Sequence, residues 1–186
     1  MAIGALIFGS IGALAETDAL ERRAFAEAGG GAPGAARFGA LVAAEGLRPR
    51  PGIVETIGAA RRRGLPVALC STAPAPVVAA VVGALAPVVL RADFAWVGDA
   101  TRAARPRPAP DALCLALAVL DVPPATAVAV EDSAPCAEAA LAAGCRVLGF
   151  PGGGAAAADF PPGLLVVDRL QPRLLDLLAG FSTAAE

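Results

Sequence analysis

Residues Ala5-Leu-Ile-Phe-Gly-Ser-Ile-Gly-Ala-Leu-Ala-Glu-Thr17 begin with four consecutive apolar side chains and continue into a loop rich in small residues. A continuous apolar run of this length is typical of a strand buried on both faces of a parallel sheet. Similar runs recur along the chain and alternate with longer helical patterns, which predicts a three-layer α/β/α domain around a central parallel sheet. The predicted strands are 5–8, 67–70, 96–97, 127–130, 146–149 and 165–167, and the predicted helices are 18–28, 38–45, 53–63, 75–86, 111–120, 134–143 and 170–179.

Two segments rich in glycine and alanine interrupt this pattern. Residues 29–37 are predicted to form a flexible loop, and residues 151–158 a second loop before the last strand, because glycine and proline favour turns. Residues 64–90 carry no charge, but four prolines and a Cys-Ser-Thr-Ala turn signal divide them, so we predict no membrane span. The first residues show no basic region that would indicate a signal peptide, and we expect a cytoplasmic protein.

The composition of the 186 residues excludes several kinds of chemistry. Histidine and tyrosine are absent, and all 15 basic residues are arginine. There is therefore no serine–histidine or cysteine–histidine couple, no imidazole metal ligand, and no lysine for a Schiff base or a P-loop. A net charge of -2 also argues against a nucleic-acid partner. Cys70, Cys114, Cys136 and Cys145 form no CxxC pair, and we expect them to be buried free thiols.

Three pieces of the chain, in order, carry a resemblance to a known family. They are Ala5 to Thr17; Arg48-Pro-Arg-Pro-Gly-Ile-Val-Glu through Gly64-Leu-Pro-Val-Ala-Leu-Cys-Ser-Thr72; and Arg107-Pro-Ala-Pro-Asp111 with Val130-Glu-Asp-Ser133 and Ala142-Ala-Gly-Cys-Arg-Val-Leu-Gly149. Together they resemble the haloacid dehalogenase (HAD) superfamily of aspartate-nucleophile phosphatases, in the branch of the xylulose bisphosphate phosphatase (CbbY) type. The likeness spans residues 1–179 and implies a Rossmann-like core with a helical cap after the first strand.

The resemblance also implies which residues should perform the chemistry, and this chain departs from them. The family opens with Asp-x-Asp-Gly-Thr, whose first aspartate attacks phosphorus and binds Mg²⁺ and whose second acts as acid and base. Those positions are Gly9 and Ile11 here, and the following threonine is Ala13. Loss of a nucleophile costs on the order of a thousandfold to a millionfold in rate, so we expect no aspartyl-phosphate chemistry.

The other motif positions keep polar residues whose roles stay open. The resemblance implies a residual phosphate site at Ser71, Thr72 and Arg107, and a residual metal site at Glu131 and Asp132. Arg107 and the two carboxylates can instead satisfy one another as a salt-bridged cluster. Asp132 and Ser133 fit an N-cap equally well, and the two hydroxyls fit a turn. We expect no cofactor, with Mg²⁺ only if the residual site still binds it.

The cap region is short for the family. We assign the core to residues 1–16 and 53–186 and a truncated, rudimentary helical cap to residues 17–52. The resemblance implies that such a lid reads the sugar and excludes water, and both abilities should suffer here.

Two helical segments, 76–86 and 112–120, carry no polar side chain at all except a cysteine thiol. Such a helix is buried on every side or contacts a partner, although outward alanines would also be tolerated. We name Val77, Val81, Leu85, Leu115 and Val119 as possible contact residues.

The expected function is that of a catalytically inactive pseudoenzyme, a structural or regulatory subunit of a larger complex with an unidentified protein partner. The alternatives are a divergent Mg²⁺-dependent sugar-phosphate phosphatase and a phospho-ligand sensor.

Overall fold

The computed structural model describes residues 2–102 and 104–180; the remaining residues of the predicted 1–186 domain, 1, 103 and 181–186, lie outside the described residues. Strands and helices alternate as predicted. The strands are Ala5–Phe8 (β1), Val67–Cys70 (β2), Trp96–Gly98 (β3), Ala127–Glu131 (β4), Arg146–Gly149 (β5) and Leu165–Val166 (β6). The helices are Asp18–Ala28 (α1), Gly31–Glu45 (α2), Ile53–Arg62 (α3), Ala75–Ala84 (α4), Asp111–Leu120 (α5), Ala134–Ala142 (α6) and Arg173–Gly180 (α7).

The six strands form one parallel sheet in the order β3-β2-β1-β4-β5-β6. Phe8 of β1 pairs in register with Leu69 of β2 and with Val130 of β4. This register brings the last residue of β4, Glu131, and the residues after β1 and β2, from Gly9 and Ser71 onward, to one edge of the sheet. Ligands of open α/β sheets bind at such an edge, where the chain order reverses.

Successive strand residues point to opposite faces and build two different core layers. Leu6 and Phe8 face the layer that contains α3, α4 and α7, whereas Ala5 and Ile7 face the layer of α5 and α6. The second layer is mostly alanine on both the strand and the helix sides. The predicted three-layer α/β/α architecture is thus confirmed.

The glycine-rich segment 29–37 is mostly helical, so the predicted loop is wrong. Helix α2 runs from Gly31 to Glu45, and Pro33 lies in its first turn, where a missing N–H is tolerated. Gly34 allows α2 to approach α1, since a Cβ there would overlap the ring of Phe25. Buried side chains such as Phe38 stabilise the helix by packing, which outweighs the low helix propensity of its glycines.

Helix α2 also packs against α4 and thereby covers one of the two apolar helices. Val77, Val81 and Leu85 are almost completely buried in the core of the chain itself, so their prediction as partner contacts is wrong. On α5, Val119 is 53% exposed and Leu115 is partly buried. Cys114 is exposed as well, contrary to the expectation that every cysteine is buried.

Arg50 joins the segment after α2 to the core. The buried guanidinium lies over the Phe150 ring, 3.5 Å from its centroid. Its Nη1 donates to the Phe150 carbonyl oxygen (2.8 Å) and its Nε to Glu16 (2.9 Å), while Nη2 donates to the Pro151 carbonyl oxygen. A short antiparallel bridge between Ala15 and Pro49 lies beside it. The helix pair α1–α2 is therefore held at both of its connections to the sheet edge.

Within the described residues, none of the helices has the length and apolar character needed to cross a membrane.

Candidate functional site

A cleft of about 540 Å³ opens at the carboxyl edge of the sheet, beneath helix α1. Its floor comes from the loops after β1, β2 and β4, and its roof carries side chains of α1. The predicted site residues Ile11, Ser71, Thr72, Arg107 and Asp132 all line it, together with the following residues that sequence reasoning did not single out for this site: Thr17, Asp18, Glu21, Arg22, Phe25 and Cys136.

Arg107 lies in the cleft floor with only 9% of its side chain exposed. Its Nη1 donates to Glu131 Oε2 at 3.3 Å, and its Nη2 donates to the carbonyl oxygens of Cys70, at 2.7 Å, and of Gly9. Burial alone would lower the pKa of Arg107, but the Glu131 carboxylate raises it above its ordinary value. The planar guanidinium thus links the ends of β1, β2 and β4, and these hydrogen bonds direct its donors into the protein rather than into the cleft.

Glu131 is completely buried at the end of β4. Oε2 accepts the hydrogen bond from Arg107, whereas Oε1 has no hydrogen-bond partner among the described residues. Burial raises the pKa of this carboxyl to about 8, even though Arg107 acts in the opposite direction. Burial thus makes this carboxyl group take up a proton more readily than an exposed glutamate does.

Gly9 stands next to this carboxyl group. A Cβ built on Gly9 would overlap both oxygens of Glu131, so the Glu131 carboxyl group occupies the space that a side chain at position 9 would need. Ile11 is 5% exposed and Ala13 is buried, and neither has an ionisable group. Ser10 is engaged in a local turn, where its Oγ accepts the Ala13 N–H at 3.0 Å.

The two hydroxyls predicted at the end of β2 differ in their environment. Ser71 is buried, and its Oγ accepts the N–H of Ala73 at 3.0 Å, which confirms the turn interpretation for this residue. Thr72 is partly exposed and lines the cleft. A ligand in the cleft could therefore contact the Thr72 side chain, whereas the Ser71 hydroxyl is used to stabilise its own loop.

Asp132, Ser133 and Cys136 lie at the start of α6. Ser133 occupies the N-cap position, as the N-cap interpretation predicts. Its side chain makes no capping hydrogen bond, so the predicted stabilising contact is not formed. The ligand atoms of Glu131, Asp132 and Cys136 all lie within 4.8 Å of one another. The i, i+4 spacing of Asp132 and Cys136 across the first turn was the available sequence signal for this grouping.

The cleft carries more acidic side chains than a binding site for a negatively charged phosphate would be expected to have. Asp18 and Glu21 on α1 face Asp132, and burial together with these neighbouring carboxylates raises the pKa of both. Arg22 is the cation that α1 contributes to the lining, and Arg107 is paired in the floor. A phosphate dianion would meet three carboxyl groups here unless a cation accompanied it.

The Mg²⁺ that the resemblance implies does not fit these residues. Mg²⁺ requires about six oxygen donors in octahedral geometry. Position 9 supplies no carboxylate, Glu131 Oε2 is hydrogen bonded to Arg107, and the third donor group beside the two carboxyls is a thiol. No catalytic step through Mg²⁺ follows from this arrangement.

A three-layer α/β/α domain with a parallel central sheet and a cleft at the carboxyl edge of that sheet places the chain among the open α/β domains. Within that class, the model of the haloacid dehalogenase-like hydrolases matches residues 5–144, and the chain belongs to this family.

The similar proteins include CbbY of Cereibacter sphaeroides, which is 40% identical over 116 residues (62% of this chain and 50% of that protein). The plasmid-encoded CbbY of Cupriavidus necator is 35% identical over 129 residues (69% of this chain and 51% of that protein). The chain thus spans about half the length of the curated relatives it matches. Among solved structures, a mutant of CbbY from Rhodobacter sphaeroides in complex with xylulose-(1,5)bisphosphate has a TM-score of 0.82 at 31% identity, covering 90% of this chain and 94% of that chain.

The raised pKa of Glu131 predicts a pH dependence of stability. Between the ordinary value of 4.5 and the folded-state value of about 8, the native state binds more protons than the unfolded state. The free energy of unfolding should therefore fall as the pH rises from about 5 to about 8. Glutamine cannot ionise, so Glu131→Gln should flatten this slope in urea titrations with a chelator present. The exposed Glu138→Gln should keep the wild-type slope; an unchanged slope in Glu131→Gln would contradict the prediction.

Proposed function

We propose that this chain is a non-catalytic member of the HAD-like hydrolase family and serves as a structural or regulatory subunit of a protein complex. The observation that carries the proposal is that residue 9 is a glycine and that the Glu131 carboxyl group lies directly beside it. Position 9 has no nucleophile, and the space next to it is filled by a buried carboxyl group. Ile11 adds no acid or base, and the chain has no histidine, lysine or tyrosine to replace one.

A second candidate is a Mg²⁺-dependent phosphatase of sugar phosphates. The family and the CbbY relatives favour it, and one of those relatives binds xylulose-(1,5)bisphosphate. One structural observation also supports it, because the Glu131 carboxyl group lies where the side chain of residue 9 would lie. An active enzyme of this kind would have to use Glu131 or Asp132 in place of the missing aspartates.

One assay separates these two functions. The full chain is incubated with Mg²⁺ and with p-nitrophenyl phosphate or xylulose 1,5-bisphosphate, and phosphate release is followed beside CbbY of Cereibacter sphaeroides as positive control. We expect release no faster than in buffer alone, since residue 9 cannot form a phosphoenzyme.

Turnover that disappears in Asp132→Asn or Glu131→Gln, but persists in the exposed Glu138→Gln, would overturn the proposal and establish the phosphatase. Turnover that no variant changes would indicate a contaminating enzyme. The sensor alternative predicts saturable binding of the bisphosphate without release. Calorimetry should then show a loss of binding in Arg22→Ala, because Arg107 is paired inside the protein.

The subunit role requires a contact surface, and we place it on the outer side of α5. From Ala112 to Leu120 this helix has no charged residue, and Cys114, Ala118 and Val119 are exposed. Exposed apolar surface of this kind is typical of protein contacts. The candidate contact residues are therefore Val119 and the partly buried Leu115, and no longer the buried residues of α4.

Substitution of Val119 tests this surface. The tagged full chain is captured from its native cells in gentle detergent, beside Val119→Asp and the control Val88→Asp, a valine with the same 53% exposure in a different region. We expect a partner in stoichiometric amount with the wild type and with Val88→Asp, and its loss with Val119→Asp. Recovery of the wild type as a free chain, or equal recovery of the partner with Val119→Asp, would contradict the proposed surface.

A further inference from the structure

We propose that Glu131, Asp132 and Cys136 form a binding site for a thiophilic divalent cation of the Zn²⁺ class. This site goes beyond the proposed function, because it requires neither turnover nor a partner. It also differs from an all-oxygen Mg²⁺ site in its donor set, to which Cys136 adds a thiol.

The geometry of the three side chains is that of a compact ligand cluster. One ligand atom of each residue lies within 4.8 Å of the other two, so a modest adjustment of rotamers brings all three to a common ion. Asp132 and Cys136 both line the cleft, which provides the path by which an ion enters. The same cleft leaves a fourth position of the ion open to water.

A second observation points independently to a ligand. Glu131 is completely buried, and its Oε1 has no hydrogen-bond partner among the residues that the structure describes. Buried polar atoms are almost always paired, so an unpaired carboxyl oxygen beside two other ligand atoms is a suitable donor for an ion. Arg107 holds Oε2 of the same carboxyl group at 3.3 Å, which leaves Oε1 as the atom available to a cation.

The charges of the cluster favour a divalent ion. Two carboxylates and one thiolate carry three negative charges, and the Arg107 guanidinium supplies one positive charge. A divalent cation makes the whole group neutral, which is the condition under which a buried ionic cluster is tolerated.

The chemical type of the donors selects the ion. Thiolate ligands favour Zn²⁺ and similar soft ions, whereas Mg²⁺ favours an octahedron of oxygens. Cys136 lies in the first turn of α6 and lines the cleft, so its sulfur faces the same space as the Asp132 carboxyl group. Three protein ligands with one open position are the arrangement of accessible zinc sites.

Cobalt is the probe for the experiment, because Co²⁺ bound to a thiolate absorbs light by charge transfer. The reduced full chain is titrated with Co²⁺, then with Zn²⁺, and separately in an excess of Mg²⁺. We expect the thiolate band to saturate at one equivalent, to disappear when Zn²⁺ displaces the cobalt, and to persist in the presence of Mg²⁺.

Matched variants locate the site. Cys136→Ser should abolish the band, and Asp132→Asn should weaken binding on the order of tenfold to a hundredfold. Cys114→Ser, which alters an exposed cysteine outside the cluster, should leave the titration unchanged. Thermal unfolding of each variant confirms that it is folded, and Asp132→Asn keeps the test valid if Cys136→Ser does not fold.

Three outcomes would overturn the site: the absence of a thiolate band, a band that survives in folded Cys136→Ser, or displacement of Co²⁺ by an equal concentration of Mg²⁺. The readout needs no substrate, so it is independent of the phosphatase assay. Turnover with no cobalt band would refute both proposals, whereas a cobalt band without turnover would support both.

Discussion

The hydrogen bonds of Arg107 hold together the floor of the candidate site. One guanidinium donates to the carbonyl oxygens of Gly9 and Cys70 and to the carboxyl group of Glu131, and so connects the ends of three neighbouring strands. A buried guanidinium is costly to desolvate, and its presence here is accommodated because most of its donors have partners. The contact between Arg107 and Glu131 also determines what the cleft can do: the guanidinium is bound inward, and the carboxyl group fills the space beside Gly9.

The acidic cleft and the small residue at position 9 follow from the same arrangement. A side chain at residue 9 and the Glu131 carboxyl group in its present position cannot occupy one space, so the glycine at position 9 and the position of Glu131 belong together. With Arg107 paired, the remaining charged side chains of the lining are three acidic residues, Asp18, Glu21 and Asp132, and one basic residue, Arg22. Such a cleft favours a cation over a free phosphate, which connects the glycine at position 9 with the proposed metal site.

Much of the fold was predictable from the sequence, because continuous apolar runs such as Ala5–Phe8 identify buried parallel strands. Helix α2 was mispredicted because its stability comes from packing against α1 and α4, which local glycine content does not reveal. The sequence also does not show which face of α4 is buried, because a helix with apolar residues on every side has no hydrophobic periodicity. The contact between Arg107 and Glu131 is one of the alternatives that the sequence leaves open. For Cys136 the sequence predicts only a buried free thiol, because its distance to Glu131 depends on how β4 meets α6.

The central claim is that Glu131 occupies the space of a side chain at position 9, and a double-mutant cycle tests it directly. Urea unfolding gives the free energies of the wild type, Gly9→Ala, Glu131→Ala and the double variant. In the wild-type background we expect Gly9→Ala to cost about 1–3 kcal/mol, because the new methyl group overlaps the carboxyl group. In the Glu131→Ala background the same substitution should cost almost nothing. An equal cost in both backgrounds would contradict the account.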